Sequence, residues 1–152
     1  MNNYSWIEKI FHKFALSSNL IREVSFDIEN IFISKKDIKE NHVFIFGLAR
    51  SGSTILLNSL YKSDIFASLT YEDMPFVLAP NLWSKISFSK KNLEFHERAH
   101  GDGIKYSISS PEAFEEVFWK TFHNYNSDVI SNFKSFINNT VSKYKKERYL
   151  SK

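Results

Sequence analysis

Cysteine is absent from this chain of 152 residues, which excludes a disulfide framework, thiol nucleophiles and thiolate metal ligands. Glycine and proline are scarce, with four and three copies, so the position of each glycine is informative about backbone need. No apolar run approaches the ~18 residues that span a bilayer. Met1-Asn2-Asn3-Tyr4 opens without the basic segment and apolar core of a secretory signal. A cytoplasmic protein with no transmembrane segment is therefore expected. Charge of one sign is lacking too: 20 basic against 17 acidic residues leave a net +3. That balance suits an anionic small molecule and is too small to imply nucleic acid. His96 and His100 stand at i,i+4 spacing, yet no metal is expected. Aromatic residues, by contrast, are plentiful, with fifteen Phe, seven Tyr and three Trp to supply the apolar area of a single packed domain.

Two of the four glycines bracket the loop of one short segment, His42-Val-Phe-Ile-Phe-Gly47-Leu-Ala-Arg50-Ser-Gly52-Ser-Thr54. An apolar run stops at Gly47, and Gly52-Ser53-Thr54 opens an apolar helical pattern. That is the strand–loop–helix layout of a phosphate cradle, in which glycines let backbone N–H groups turn toward an anion. The spacing Gly47-x-x-x-x-Gly52-x-Thr54 fits the nucleotide-binding loop template except at one place. Ser53 stands where the nucleoside triphosphatase lysine belongs, and a cation appears instead at Arg50. The loop suits a phosphate-like group without ordinary ATP chemistry.

Around this loop the chain divides into residues 1–41, amino-terminal helices and a charged connector, and residues 42–152, an α/β unit. Ile7, Ile10, Phe11 and Phe14, then Leu20, Ile21 and Val24, follow helical spacing. Val43–Phe46 is apolar at every position, which predicts a buried strand of a parallel sheet. A helix carrying Ile55, Leu56, Leu57 and Leu60 should follow and end near Tyr61. Ile65–Leu69 then reads as a second strand, giving a βαβ unit with a parallel pair. Residues 87–109 read as a long polar loop. Ser109-Ser110-Pro111-Glu112 has the composition of a helix start, and Phe114, Val117, Phe118 and Phe122 mark the buried face of that helix. Val129, Phe133, Phe136, Val141 and Tyr144 mark another. Arg148–Lys152 looks like the beginning of a further strand.

Ile45-Phe46-Gly47-Leu48-Ala49-Arg50-Ser51-Gly52-Ser53-Thr54 resembles the 5′-phosphosulfate loop of bacterial sulfotransferases that use 3′-phosphoadenosine 5′-phosphosulfate. Ala49 replaces that family's usual proline and Ser53 a threonine. Tyr71-Glu72-Asp73-Met74-Pro75-Phe76 and His100-Gly101-Asp102-Gly103 are similar to further segments, so the likeness covers residues 42–120. It implies a P-loop-like α/β fold with helices flanking a parallel sheet. The sulfuryl group would pass from that donor to a hydroxyl of a glycan or small-molecule acceptor, without a metal. By the resemblance, Arg50, Ser51, Gly52, Ser53 and Thr54 hold the donor phosphate, and Arg50 also acts on the leaving group. The base that takes the acceptor proton is sought among Glu72, Asp73 and His100.

Two other readings stand beside it. One is a P-loop kinase or nucleotide phosphotransferase, weakened by the missing lysine and by the lack of an apolar run ending in Asp. The other is a non-catalytic fragment that keeps only the phosphate loop. In the resembled family a second site for the 3′-phosphate follows about where this sequence stops. Residues 1–152 are accordingly expected to form the amino-terminal part of a longer catalytic domain. Alone they should bind donor weakly, transfer no sulfuryl group and tend to self-associate.

Overall fold

A computed structural model describes residues 18–33, 41–48, 50–87, 96–97, 105–122 and 128–152. The elements are α1 (Asn19–Phe32), β1 (Val43–Phe44), α2 (Ser53–Tyr61), β2 (Phe66–Ala67), a 3-10 turn (Tyr71–Asp73) and α3 (Pro80–Ile86). They continue with β3 (His96–Glu97), β4 (Lys105–Tyr106), α4 (Glu115–Phe122), α5 (Val129–Tyr144) and β5 (Arg148–Ser151). This is an α/β arrangement with a small, open, three-stranded parallel sheet in the order β1-β5-β2. A separate antiparallel hairpin, β3 with β4, lies within the segment expected to be only loop.

β5 is the centre of the sheet. It pairs with β1 through Val43↔Leu150 and Phe44↔Ser151, and with β2 through Phe66↔Arg148 and Ala67↔Tyr149. The expected βαβ unit is thus parallel as predicted, but its two strands are not neighbours, because the late strand inserts between them. Successive β5 side chains point to opposite faces. Tyr149 enters a core built with Phe26, Phe118, Phe136 and Val141 of α1, α4 and α5. Leu150 enters a smaller one with Ile45, Leu57 and Phe66 under α2. Helices cover both faces.

The expectation of uniform burial over Val43–Phe46 fails in a way that matters. Ile45 still donates its N–H to Ser151 O at 2.8 Å and is buried, but Phe46 is 90% exposed. Among the described strands β1 lies at the edge of the sheet, paired with β5 alone. The helix start expected at Ser109–Glu112 is displaced as well. Pro111 bridges Thr70, and the Glu112 N–H bonds Leu69 O at 3.0 Å, so α4 begins only at Glu115. The Pro-Glu pair serves the end of β2 rather than a first helical turn.

Two buried carboxylates close the helix layer. Glu29 of α1 accepts from the N–H groups of Asn81 (2.8 Å) and Leu82 (3.0 Å), satisfying the first turn of α3, which has no side-chain cap of its own. Asp73 caps the 3-10 turn by accepting from the Thr70 N–H at 2.7 Å, and it also forms an ion pair with Lys143 and accepts from the Tyr144 hydroxyl at 2.7 Å. Ile7, Ile10, Phe11 and Phe14 fall outside the described residues. No helix among those described is long and apolar enough to cross a membrane.

His42 sits at the entry of β1, where its Nδ1 accepts the Tyr149 N–H at 3.1 Å. Burial, and then the nearby Arg148, hold this imidazole below its ordinary value of 6.5. A group lowered in the folded state contributes stability above its unfolded value, and that stability is lost as pH falls through the folded one. Lowering the pH from about 7.5 to about 5.5 should therefore depress the melting temperature more in the wild type than in His42→Asn, and should speed exchange of the Tyr149 amide. Equal pH dependence in the two proteins would contradict this role for His42.

Candidate anion site at the start of α2

The segment between β1 and α2 turns on two residues in the left-handed region, Arg50 at φ 69° and Gly52 at φ 81°. Glycine adopts this conformation without strain, whereas arginine pays for it, so the loop is held by its surroundings. One tie is the Ser51 N–H, which bonds Leu48 O at 3.1 Å. Gly47 lies close against the same serine, since a β-carbon there would collide with the Ser51 hydroxyl. At Gly52 the opposite holds. A β-carbon would meet nothing within 4 Å, so this side of the loop opens to space.

Gly52 is also the cap of α2, its carbonyl accepting from Ile55 (2.9 Å) and Leu56 (3.1 Å). Having no side chain, it brings no oxygen of its own to the first-turn N–H groups. The helix start carries a partial positive charge of about half a unit. Two cations reinforce it. Arg50 is exposed on the loop and forms no ion pair with another described residue. Lys152, just beyond β5, donates from Nζ to Thr54 Oγ1 at 2.8 Å. A lysine is thus present at this loop after all, supplied by the central strand rather than by the loop sequence.

Lys152 also pairs with Glu112 at 3.0 Å. The same Glu112 oxygen accepts from the Ala113 N–H at 3.1 Å, and the other accepts from the Tyr71 hydroxyl at 3.2 Å. Thr54, Lys152, Glu112 and Tyr71 therefore form one hydrogen-bonded chain across the carboxyl ends of the strands, where parallel sheets place their ligand crevice. Sequence reasoning missed Lys152, Glu112 and Tyr71. The signal available for Lys152 was its place one residue past a strand; Glu112 was hidden by its resemblance to a first-turn acid.

Of the carboxylates expected near the acceptor, Asp73 is committed to other partners. Asp73 is fully buried, and both of its oxygens are engaged by Lys143, Tyr144 and the Thr70 N–H. Glu72 is half-buried, with its carbonyl accepting from the Trp83 indole N–H at 3.0 Å. Burial first, and then Asp73 and Glu72, push the Tyr61 hydroxyl up to about 12. Tyr61 is the last residue of α2, about 10 Å along the axis from Thr54. His100, with Gly101 and Gly103, falls outside the described residues.

His96-Glu97-Arg98-Ala99-His100 spells the His-Glu-x-x-His pattern, which binds zinc when a helix puts both histidines on one face. Here His96–Glu97 is instead an extended strand paired with Lys105–Tyr106. Among the described residues no cluster of three His, Asp or Glu could hold a metal ion. No protein-family model matches the chain, and none of the curated proteins or solved structures compared with it matches either.

Two substitutions separate the loop from the buried carboxylate. Gly52→Val places a branched side chain at positive φ, which should cost roughly 1–3 kcal/mol and obstruct the open side of the loop. Phosphate binding measured by calorimetry should vanish; wild-type affinity would remove Gly52 from any anion site. Asp73→Ala strands Lys143 at a largely buried position and should lower unfolding stability by about 3–5 kcal/mol in denaturant titration. A change within about 0.5 kcal/mol would show that the pair is not structural.

Proposed function

We propose that this protein binds the 5′-phosphosulfate end of 3′-phosphoadenosine 5′-phosphosulfate at the start of α2 and transfers its sulfuryl group to an acceptor hydroxyl. The observation that carries the reading is Lys152 Nζ at 2.8 Å from Thr54 Oγ1, beside a glycine-capped helix start that opens to space. Backbone N–H groups, the hydroxyls of Ser51, Ser53 and Thr54 and two cations are the equipment an esterified phosphate needs. The resemblance of residues 45–54 to the phosphosulfate loop gives the nucleotide its identity.

In the proposed reaction the acceptor oxygen attacks sulfur as the bond from sulfur to the 5′-phosphate oxygen breaks, leaving adenosine 3′,5′-bisphosphate. Charge grows on the leaving phosphate. Arg50 and Lys152 are positioned by this reading to stabilise it, a contribution realised most fully in the transition state. The family's P-loop-like fold is proposed with the function, since the small parallel sheet and its flanking helices are compatible with it.

The nucleotide phosphotransferase reading gains something from Lys152, which restores a lysine to the loop. It is disfavoured by where that lysine goes. In such enzymes the loop Ser/Thr hydroxyl binds Mg2+, whereas Thr54 here accepts from an ammonium group that would repel a dication. Adenosine 3′,5′-bisphosphate should therefore bind without Mg2+ in calorimetry, and ATP should gain no affinity when Mg2+ is added. Lys152→Ala should weaken the bisphosphate by at least about tenfold, roughly 1.4 kcal/mol. Binding of ATP that strictly requires Mg2+ would overturn the sulfuryl-transfer reading in favour of its rival.

A further inference from the structure

The proposed reaction needs a group to take the acceptor proton, and Asp73, one of the carboxylates suggested by sequence, has both oxygens engaged by other partners. Asp73 is sealed between the 3-10 turn and α5. Glu112 has the opposite placement. Its N–H is tied to Leu69 O at the end of β2, its side chain is mostly but not wholly buried, and Lys152 links it directly to Thr54. Two hydrogen-bond lengths thus separate the loop hydroxyl from this carboxylate. Lys152 Nζ fills that space, so a phosphosulfate held at α2 and engaged by Lys152 would carry its sulfuryl group along the side of the ammonium that Glu112 faces.

We propose that Glu112 is the proton acceptor of this site, and that the acceptor substrate, a hydroxyl carried on a ring, lies in the adjoining cleft between α4 and the end of β5. This rests on the sulfuryl-transfer reading above and deepens it. The cleft holds about 640 Å³ and is lined by Ala113, Glu115, Glu116, Trp119, Lys120 and Lys152. It abuts Glu112 through Ala113, the next residue, and through Lys152, its ion-pair partner. Trp119 is packed against Phe133, with ring centroids 4.9 Å apart at 32°, and still leaves 44% of its surface exposed. A fixed, exposed indole offers a platform for a ring, and the surrounding charged groups offer hydrogen bonds to its substituents.

The atoms balance without a further reactant. As the acceptor oxygen forms its bond to sulfur, its proton passes to a Glu112 carboxylate oxygen, and the electron pair of the breaking sulfur–oxygen bond goes to the 5′-phosphate. The products are the sulfate ester, adenosine 3′,5′-bisphosphate and a protonated Glu112 that returns its proton to solvent. Tyr71, donating to Glu112 from its hydroxyl at 3.2 Å, is a positioning residue that fixes which way the carboxylate faces.

The test takes water as the acceptor, so that no natural acceptor need be known. Release of labelled sulfate from 35S-labelled donor is measured in the full-length protein, in Glu112→Gln, Glu112→Asp and Glu72→Gln. Affinity for adenosine 3′,5′-bisphosphate is measured alongside by calorimetry. The expected result is a loss of about a hundredfold in turnover for Glu112→Gln with nucleotide affinity within about twofold. Glu112→Asp keeps the charge facing Lys152 but withdraws it by one methylene, and should lose at least about tenfold in turnover. The acid limb of the wild-type rate profile should disappear from the residual activity of Glu112→Gln. Near-native turnover in both Glu112 variants, or a loss confined to Glu72→Gln, overturns the assignment. A wild type that binds the nucleotide but releases no sulfate overturns it as well. A wild type that fails to bind the nucleotide overturns instead the underlying reading of the loop.

Discussion

A four-residue strand must satisfy the backbone of two neighbours at once, and most of this architecture follows from that constraint. β5 pairs with β1 through its last two residues and with β2 through its first two, so neither outer strand has a sheet without it. Its side chains serve both cores, Tyr149 under α1, α4 and α5 and Leu150 under α2. Burial of two such side chains contributes roughly 2–3 kcal/mol each on transfer arguments, and their alternation locks the register, since a slip by one would exchange the faces. The same alignment carries Lys152 past the sheet to Thr54. Fold and site are therefore coupled through one strand.

Carboxylates in this protein divide by what they neutralise. Glu29 and Asp73 are fully buried and serve backbone N–H groups at helix and turn starts, with Lys143 balancing the charge of Asp73. Such groups are costly to bury unless every oxygen is engaged. Glu115 is a third type: burial raises it above the ordinary carboxylate range, with the Tyr149 hydroxyl as hydrogen-bond partner. Glu112 is ion-paired with Lys152, the cation that also donates to Thr54 at the start of α2.

Local sequence made the loop, α2 and α5 legible, because each rests on contacts within a few residues. Gly47, Gly52 and Thr54 announce the turn, and the apolar spacing from Val129 to Tyr144 announces the long helix. The position of β5 between β1 and β2 was not legible, because a strand of four residues carries no mark of its partners. Pro111 and Glu112 misled for a related reason: the composition of a helix start is also that of a bridge and turn, and only the pairing with Thr70 decides between them. Phe46 was expected inside because its neighbours are apolar, but it lies beyond the paired residues of an edge strand and is 90% exposed. Asp73 drew attention by sitting after a strand beside another acid. Its partners Lys143 and Tyr144 lie about 70 positions away, beyond any local pattern.

The central claim is that the start of α2, completed by Lys152, is an anion cradle. Titration of isotopically labelled protein with inorganic sulfate, followed by nuclear magnetic resonance, tests it most directly. The account predicts that the backbone amides of Gly52, Ser53 and Thr54 and the ammonium group of Lys152 shift together along one saturable curve, and that adenosine 3′,5′-bisphosphate competes. Shifts scattered over exposed lysines, with those three amides unmoved, would contradict it.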